Sequence, residues 1–122
     1  RIHAAIKLDL LAREAYVAGR AVGLHPREFA LLWRLAETPG EAVSAAELLY
    51  DVWRLSFRPE TNSLAVHVSR LRAKLRTSGV DGLVETHADG SYQLAAAGAG
   101  AKVHNDLALD GFLRIGEEHL IF

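Results

Sequence analysis

The chain contains no cysteine, which excludes disulfides, thiolate metal sites and a cysteine nucleophile, and suits the reducing cytoplasm expected for it. No apolar run approaches the roughly 18 residues of a membrane span, so no membrane partner is expected. No charged-then-apolar leader opens the chain either. Its first residue is Arg1 rather than methionine, as expected of a piece of a longer protein. The six histidines, at positions 3, 25, 67, 87, 104 and 119, include no HxxxH or HExxH pair, so no metal site has local support. There is no Gly-rich phosphate loop, GxSxG elbow or nucleotide fingerprint, and Glu117-Glu118 reads as a solvated turn. Neither an enzyme nor a cofactor is expected. A large excess of one charge is also missing. The net charge is −1: residues 1–97 hold 12 Lys/Arg against 11 Asp/Glu, and residues 98–122 hold 2 against 4.

What is present is a chain of 122 residues, half of them hydrophobic, long enough for one domain with a real core or one domain plus a tail. That composition argues against disorder. The most informative stretch is residues 61–76. Leu64, Val68, Leu71 and Leu75 recur at i, i+4, i+7 and i+11, which predicts a helix with one apolar stripe. Ser63, His67, Arg70 and Lys74 run along the helix about a quarter-turn away. The segment carries four cations, Arg70, Arg72, Lys74 and Arg76, and no carboxylate. Such a helix suits a phosphate-lined groove; an ordinary amphipathic helix with a solvated basic face has the same pattern.

Around it the chain is well punctuated. Residues 5–24 read as short antiparallel strands: Ile6 and Leu8 alternate with polar neighbours, Tyr16 and Val17 follow, and Ala18-Gly19-Arg20 makes a turn before Val22 and Leu24. Pro26 suits a first helical turn, and Phe29, Leu32, Trp33 and Leu35 give that helix its apolar stripe until Thr38-Pro39-Gly40. Ser44-Ala45-Ala46-Glu47 is a capping box opening a second helix with Leu48, Leu49 and Val52, ending near Trp53. A loop at 54–60 leads into the helix at 61–76. Residues 83–86 and 91–94 then flank Asp89-Gly90, a strong hairpin signal. Strands, three helices and a hairpin in this order predict an α+β winged helix-turn-helix.

Four stretches carry a family resemblance. Residues 24–32, LHPREFALL, resemble the "LTPKEFxLL" of OmpR/PhoB-type effector domains, and residues 39–49, PGEAVSAAELL, resemble their "PGxVVSRxELL". Residues 66–75, VHVSRLRAKL, are close to "VHISRLRKKL", and Glu85-Thr86 with Tyr92-Gln93-Leu94 resembles the wing pattern "ETVRGxGYRL". The match runs in the right order over roughly residues 5–95. It implies a winged-helix DNA-binding domain over residues 1–97 of a bacterial, nucleoid-associated transcription regulator of two-component response-regulator type. Helix 61–76 would lie in the major groove of double-stranded DNA and wing 83–94 at the minor groove.

Carried over residue by residue, the resemblance puts Ser63, His67, Arg70 and Lys74 toward DNA. Arg70 is the candidate for a base edge, since a guanidinium fork pairs bidentately with guanine. His67, Ser69 and Arg72 become phosphate contacts, as do Trp53, through its indole N–H, and Thr86 on the wing. Trp53 also suits a core position. Loop 54–59 corresponds to the segment that touches RNA polymerase or sets DNA register in family members, with Arg58 as its exposed contact. The departures are as informative. Ala88 and then acidic Asp89 occupy the place of the family's wing arginine, Ser69 replaces a second basic residue, and Asn62 a bulky cation. Modest DNA affinity that leans on dimers, tandem sites or partners is therefore expected, and a winged-helix protein-interaction module is the competing reading. His87 stands at an apolar wing position, where it serves either as a charge at low pH or as a packing group.

Residues 98–122 fall outside the family pattern. Residues 95–101 are Ala/Gly-rich and read as a linker. Two or three short strands are expected among 106–109, 112–115 and 119–122, too few to form a core alone. They would add to the N-terminal sheet or exchange with a second copy, so a homodimer through that sheet or this extension is a candidate assembly.

Overall fold

The computed structural model describes residues 6–55, 63–95, 102–105 and 112–116. Alternation begins at once: in β1 (Ile6–Asp9) Ile6 and Leu8 are buried while Lys7 is exposed. Asp9 ends the strand by accepting the backbone N–H groups of Leu11 and Ala12 at 3.0 and 3.1 Å. β2 (Glu14–Val17) returns antiparallel, pairing Ile6 with Val17 and Leu8 with Ala15. Ala18 and Gly19, at φ +52° and +80°, make the turn into β3 (Arg20–Ala21). The strand expected to run on through Val22 and Leu24 stops after two residues. The Glu14 carboxylate accepts the N–H groups of both Gly23 and Leu24 at 3.2 Å, diverting the chain toward the first helix.

That helix, α1 (Pro26–Glu37), is opened by a capping box. The His25 imidazole accepts from Arg27 N–H at 3.2 Å, and Glu28 accepts from His25 N–H at 2.8 Å. The capping box expected at Ser44 and Glu47 likewise opens α2 (Ala45–Trp53), with Arg54 in the left-handed region at φ +60° as its C-cap. Arg34 ties the two helices through a 2.8 Å contact with Asp51. α3 (Ser63–Thr77) buries the whole expected stripe, Leu64, Val68, Leu71 and Leu75. These side chains join Phe29, Leu31, Leu32, Leu35 and Leu48 in one core with Ile6 and Leu8 of the sheet. Hydrophobic burial of this kind, at about 25 cal/mol per Å² of apolar surface, sets the helix orientations.

The wing pairs β4 (Val84–Thr86) with β5 (Tyr92–Leu94), one residue shorter in each arm than the 83–86 and 91–94 of the expected hairpin. Val43, ahead of α2, adds a bridge by exchanging backbone hydrogen bonds with Tyr92 at 2.8 and 3.0 Å. The wing is therefore anchored to the connection between α1 and α2. Two further strands, β6 (Lys102–Asn105) and β7 (Phe112–Gly116), extend the first sheet to the order β3-β2-β1-β7-β6. β7 pairs antiparallel with β1, Ile6 opposite Ile115 and Leu8 opposite Leu113. The strands expected at 106–109 and 119–122, and most of the expected linker, lie outside the described residues. No helix among the described residues is long and apolar enough to cross a membrane.

Candidate nucleic-acid interface

With one stripe of α3 buried, the opposite face is set by the helical repeat. Val66, Ser69, Arg70 and Ala73 are exposed along it. Arg70 forms no hydrogen bond or ion pair among the described residues. It is the free cation at the middle of the outward face. Val66, one turn before it and 41% exposed, presents an apolar surface on the same line.

The residues a quarter-turn round sit on the shoulder and are already engaged. His67 Nδ1 lies 2.7 Å from the Ser63 carbonyl oxygen, which can only accept, so the proton is on Nδ1. Its ring meets the edge of Trp53 at 5.2 Å and approaches His25 at 6.1 Å. Arg27 stacks on the Trp53 ring at 5.3 Å. Trp53 is half-buried and packs against the core while keeping one side toward α3.

Lys74 is committed elsewhere. Its ammonium lies 2.7 Å from Oε1 of Glu28, a residue only 2% exposed. Burial alone would raise the Glu28 pKa, but the hydrogen bonds from Lys74 and from His25 N–H outweigh it and hold the carboxyl below its ordinary value. One carboxylate thus caps α1 and pins α3 to it.

Arg72 points to the wing. Its Nε donates to Val84 O at 3.1 Å, its Nη2 to Thr86 Oγ1, and its guanidinium lies 5.9 Å from the Tyr92 ring centre. Two of the residues assigned by resemblance to phosphate contact, Arg72 and Thr86, are thus bonded to each other across the angle between α3 and wing. Arg76 reaches Asp81 at 3.8 Å, both well exposed. At the wing tip Ala88 and Asp89 are exposed. Hydrogen bonds from the Ser91 hydroxyl and backbone, at 2.7 and 2.9 Å, hold the Asp89 carboxyl below its ordinary value. In loop 54–59, Arg54 and Leu55 are described; Arg58 lies outside the described residues.

Three features of this surface escaped sequence reading. Val66 shares the outward line with Arg70, a phase visible only once the buried stripe is fixed. Arg27 carries no motif pointing to Trp53. Glu28 was legible as a cap residue but not as the partner of Lys74, 46 residues away.

The described elements form a winged helix: an antiparallel N-terminal sheet, three helices and a two-stranded wing, with the third helix exposing one face. The profile of the family described as "Transcriptional regulatory protein, C terminal" matches residues 19–94. The chain belongs to this family, and the OmpR/PhoB-type resemblance is borne out. Among relatives, the "Transcriptional activator protein IrlR" of Burkholderia pseudomallei is 35% identical over 96 residues, covering 79% of this chain and 42% of that protein. The chain therefore spans less than half the length of this relative. Among solved structures, the DNA-binding domain of CpxR from E. coli superposes with a TM-score of 0.67 at 28% identity, covering 75% of this chain and 91% of that one. The Klebsiella pneumoniae RstA DNA-binding domain, solved in complex with the RstA box, gives 0.65 at 26% identity, covering 74% and 90%.

Proposed function

We propose that this chain is the sequence-specific DNA-binding domain of a transcriptional regulator and works by binding rather than by catalysis. α3 enters the major groove and the wing follows the minor groove. The observation that carries this reading is Arg70: exposed, free of partners among the described residues, and centred on a helix whose opposite stripe is locked in the core. A similar domain solved in complex with its DNA box supports double-stranded DNA as the partner. In this reading Arg70 pairs with guanine, and Val66 offers its methyl groups to a thymine methyl one turn away. Ser69, Trp53, His67 and Thr86 approach the backbone and set register without reading sequence. Arg72 holds the wing at its angle while sharing Thr86's phosphate, and Lys74 lies at the edge of the contact. A domain comprising residues 1–97 carries this activity. The loop at 54–59, with Arg58, faces RNA polymerase, and the N-terminal sheet with its C-terminal extension offers a homodimer contact. The compartment is the cytoplasm, at the nucleoid.

The test is selection from a random-sequence duplex library at low and moderate salt, with Arg70→Ala beside the wild type. The wild type should enrich a short motif. The variant should lose preference at one position at a cost of about 1–3 kcal/mol. With Lys74 and Arg72 engaged within the protein, the salt slope should be shallower than the about −3.6 of four fully released cations. An unchanged motif in the variant refutes the role of Arg70, and absence of any binding at low salt refutes the reading.

A further inference from the structure

The wing carries a hydrogen-bonded chain that the surface above leaves unused. Glu85 and Gln93 stand opposite each other across β4 and β5, on the face away from Thr86 and Arg72. His87 follows Glu85 by two residues, at the mouth of the turn. Gln93 Nε2 donates to Glu85 Oε1 at 3.0 Å. An ionised carboxylate only accepts, so this contact fixes the amide with its NH₂ toward Glu85 and its carbonyl oxygen toward His87. That oxygen also only accepts. His87 Nε2, 2.7 Å from it, must therefore carry a proton.

The rest of the residue is equally constrained. Its backbone N–H donates to Ser91 O at 2.8 Å, and its carbonyl accepts from Gly90 N–H at 2.9 Å, with Gly90 at φ +86° as the turn requires. The side chain is exposed, and Nδ1 has no partner among the described residues. In a neutral ring, Nδ1 is then a lone pair. In the imidazolium it is an outward N–H donor. Phosphate oxygens, adenine N3 and thymine O2 are all acceptors. The neutral ring offers them nothing, whereas the charged ring offers a charge-assisted hydrogen bond.

Resting on the reading of the wing as DNA-facing, we propose that His87 is the wing's DNA-contacting cation. It binds through Nδ1–H as the imidazolium, so that wing engagement takes up a proton and tightens as pH falls. The charged groups around it are Asp89 in the same turn, its carboxylate occupied by Ser91, and Glu85, reached through Gln93. From α3, Arg72 approaches the wing on the other face, at Val84 and Thr86. Ala88, which cannot contact DNA electrostatically, stands next to the residue that does.

The experiment is fluorescence anisotropy on a library-selected duplex at constant ionic strength, at about pH 6 and pH 8, the range over which an imidazole changes charge. Wild type, His87→Ala and His87→Arg are compared, with Arg70→Ala at pH 8 as the control for α3. The wild type should bind roughly fivefold tighter at the lower pH. His87→Ala should match the wild type at pH 8 and lose most of the gain at pH 6; His87→Arg should bind tightly at both. Calorimetry in buffers of different ionisation enthalpy should show net proton uptake that His87→Ala reduces. A pH dependence retained in full by His87→Ala overturns the proposal and assigns the effect to another titratable group. In that case, loss of binding in Arg70→Ala at pH 8 leaves the reading of α3 standing; failure of the wild type to bind at either pH overturns both.

Discussion

Replacing Lys74 with methionine separates a strut from a DNA contact, because the structure gives its ammonium a partner inside the protein. Glu28 is 2% exposed and takes its hydrogen bonds from Lys74 at 2.7 Å and His25 N–H at 2.8 Å. Breaking a fully buried ion pair costs about 3–5 kcal/mol, since the remaining charge is stranded. The Lys74 side chain is 37% exposed, however, so water screens the pair and can reach the carboxylate, as in surface pairs worth about 0–1 kcal/mol. An intermediate loss of about 1–3 kcal/mol is expected at neutral pH.

The sign with pH follows from Glu28. Its carboxyl is held below the ordinary value in the folded protein. The stabilisation is therefore present above the ordinary glutamate range and disappears as pH falls through the folded value. Without Lys74, burial is opposed by the cap N–H and by the electrostatic influence of His25 alone, and the lowering diminishes. Urea titrations of wild type and Lys74→Met should thus show a clear gap at pH 7 that narrows below about pH 4. A gap under about 0.5 kcal/mol at pH 7, or one that does not change with pH, would refute the strut. If stability were untouched while the salt slope of DNA binding fell by about 0.9, Lys74 would be a phosphate contact instead.

Other outcomes follow from single contacts. Arg72→Lys keeps the charge but loses the fork that reaches both Val84 O and Thr86 Oγ1; it should destabilise by about 1–2 kcal/mol and speed hydrogen exchange at β4 and β5. Ser44→Ala removes the acceptor for Glu47 N–H and should cost about 1 kcal/mol by thermal or urea unfolding, without altering DNA preference. Arg70→Ala should stay within about 0.5 kcal/mol of wild-type stability, because nothing among the described residues depends on that guanidinium.

The legible parts of this molecule were those written in local sequence. The Ser44 capping box, the stripe from Leu64 to Leu75 and the Asp89-Gly90 turn each obey a short-range rule, and each stands where that rule puts it. β3 came out shorter because a side chain nine residues away, Glu14, competes for the backbone at Gly23. Strand β6 at 102–105 had no alternation strong enough to mark it, and its place beside β7 is a matter of sheet pairing rather than propensity. The chemical state of the α3 cations was hidden for the same reason. Spacing put Lys74 on the same row as Arg70, but only the fold brings Glu28 within 2.7 Å of it.

That division of labour changes what the recognition surface can do alone. Of the cations on residues 70–76, Arg72 builds the wing angle, Lys74 anchors α1, Arg76 lies within 3.8 Å of Asp81, and Arg70 is left without an ion pair or hydrogen bond among the described residues. Diverting charges into the frame ties α3 to the wing and to α1, which favours selectivity at the positions that Arg70 and Val66 are proposed to read. It also removes phosphate contacts, and each absent one lowers the salt slope by about 0.9 and the affinity with it. A single domain is then expected to discriminate sequences while binding weakly. Two domains on directly repeated half-sites, linked through a dimer contact, convert the second encounter into an intramolecular one and restore occupancy without new charge. Weak binding to one half-site with strong binding to two, at unchanged base preference, is the signature this arrangement should produce.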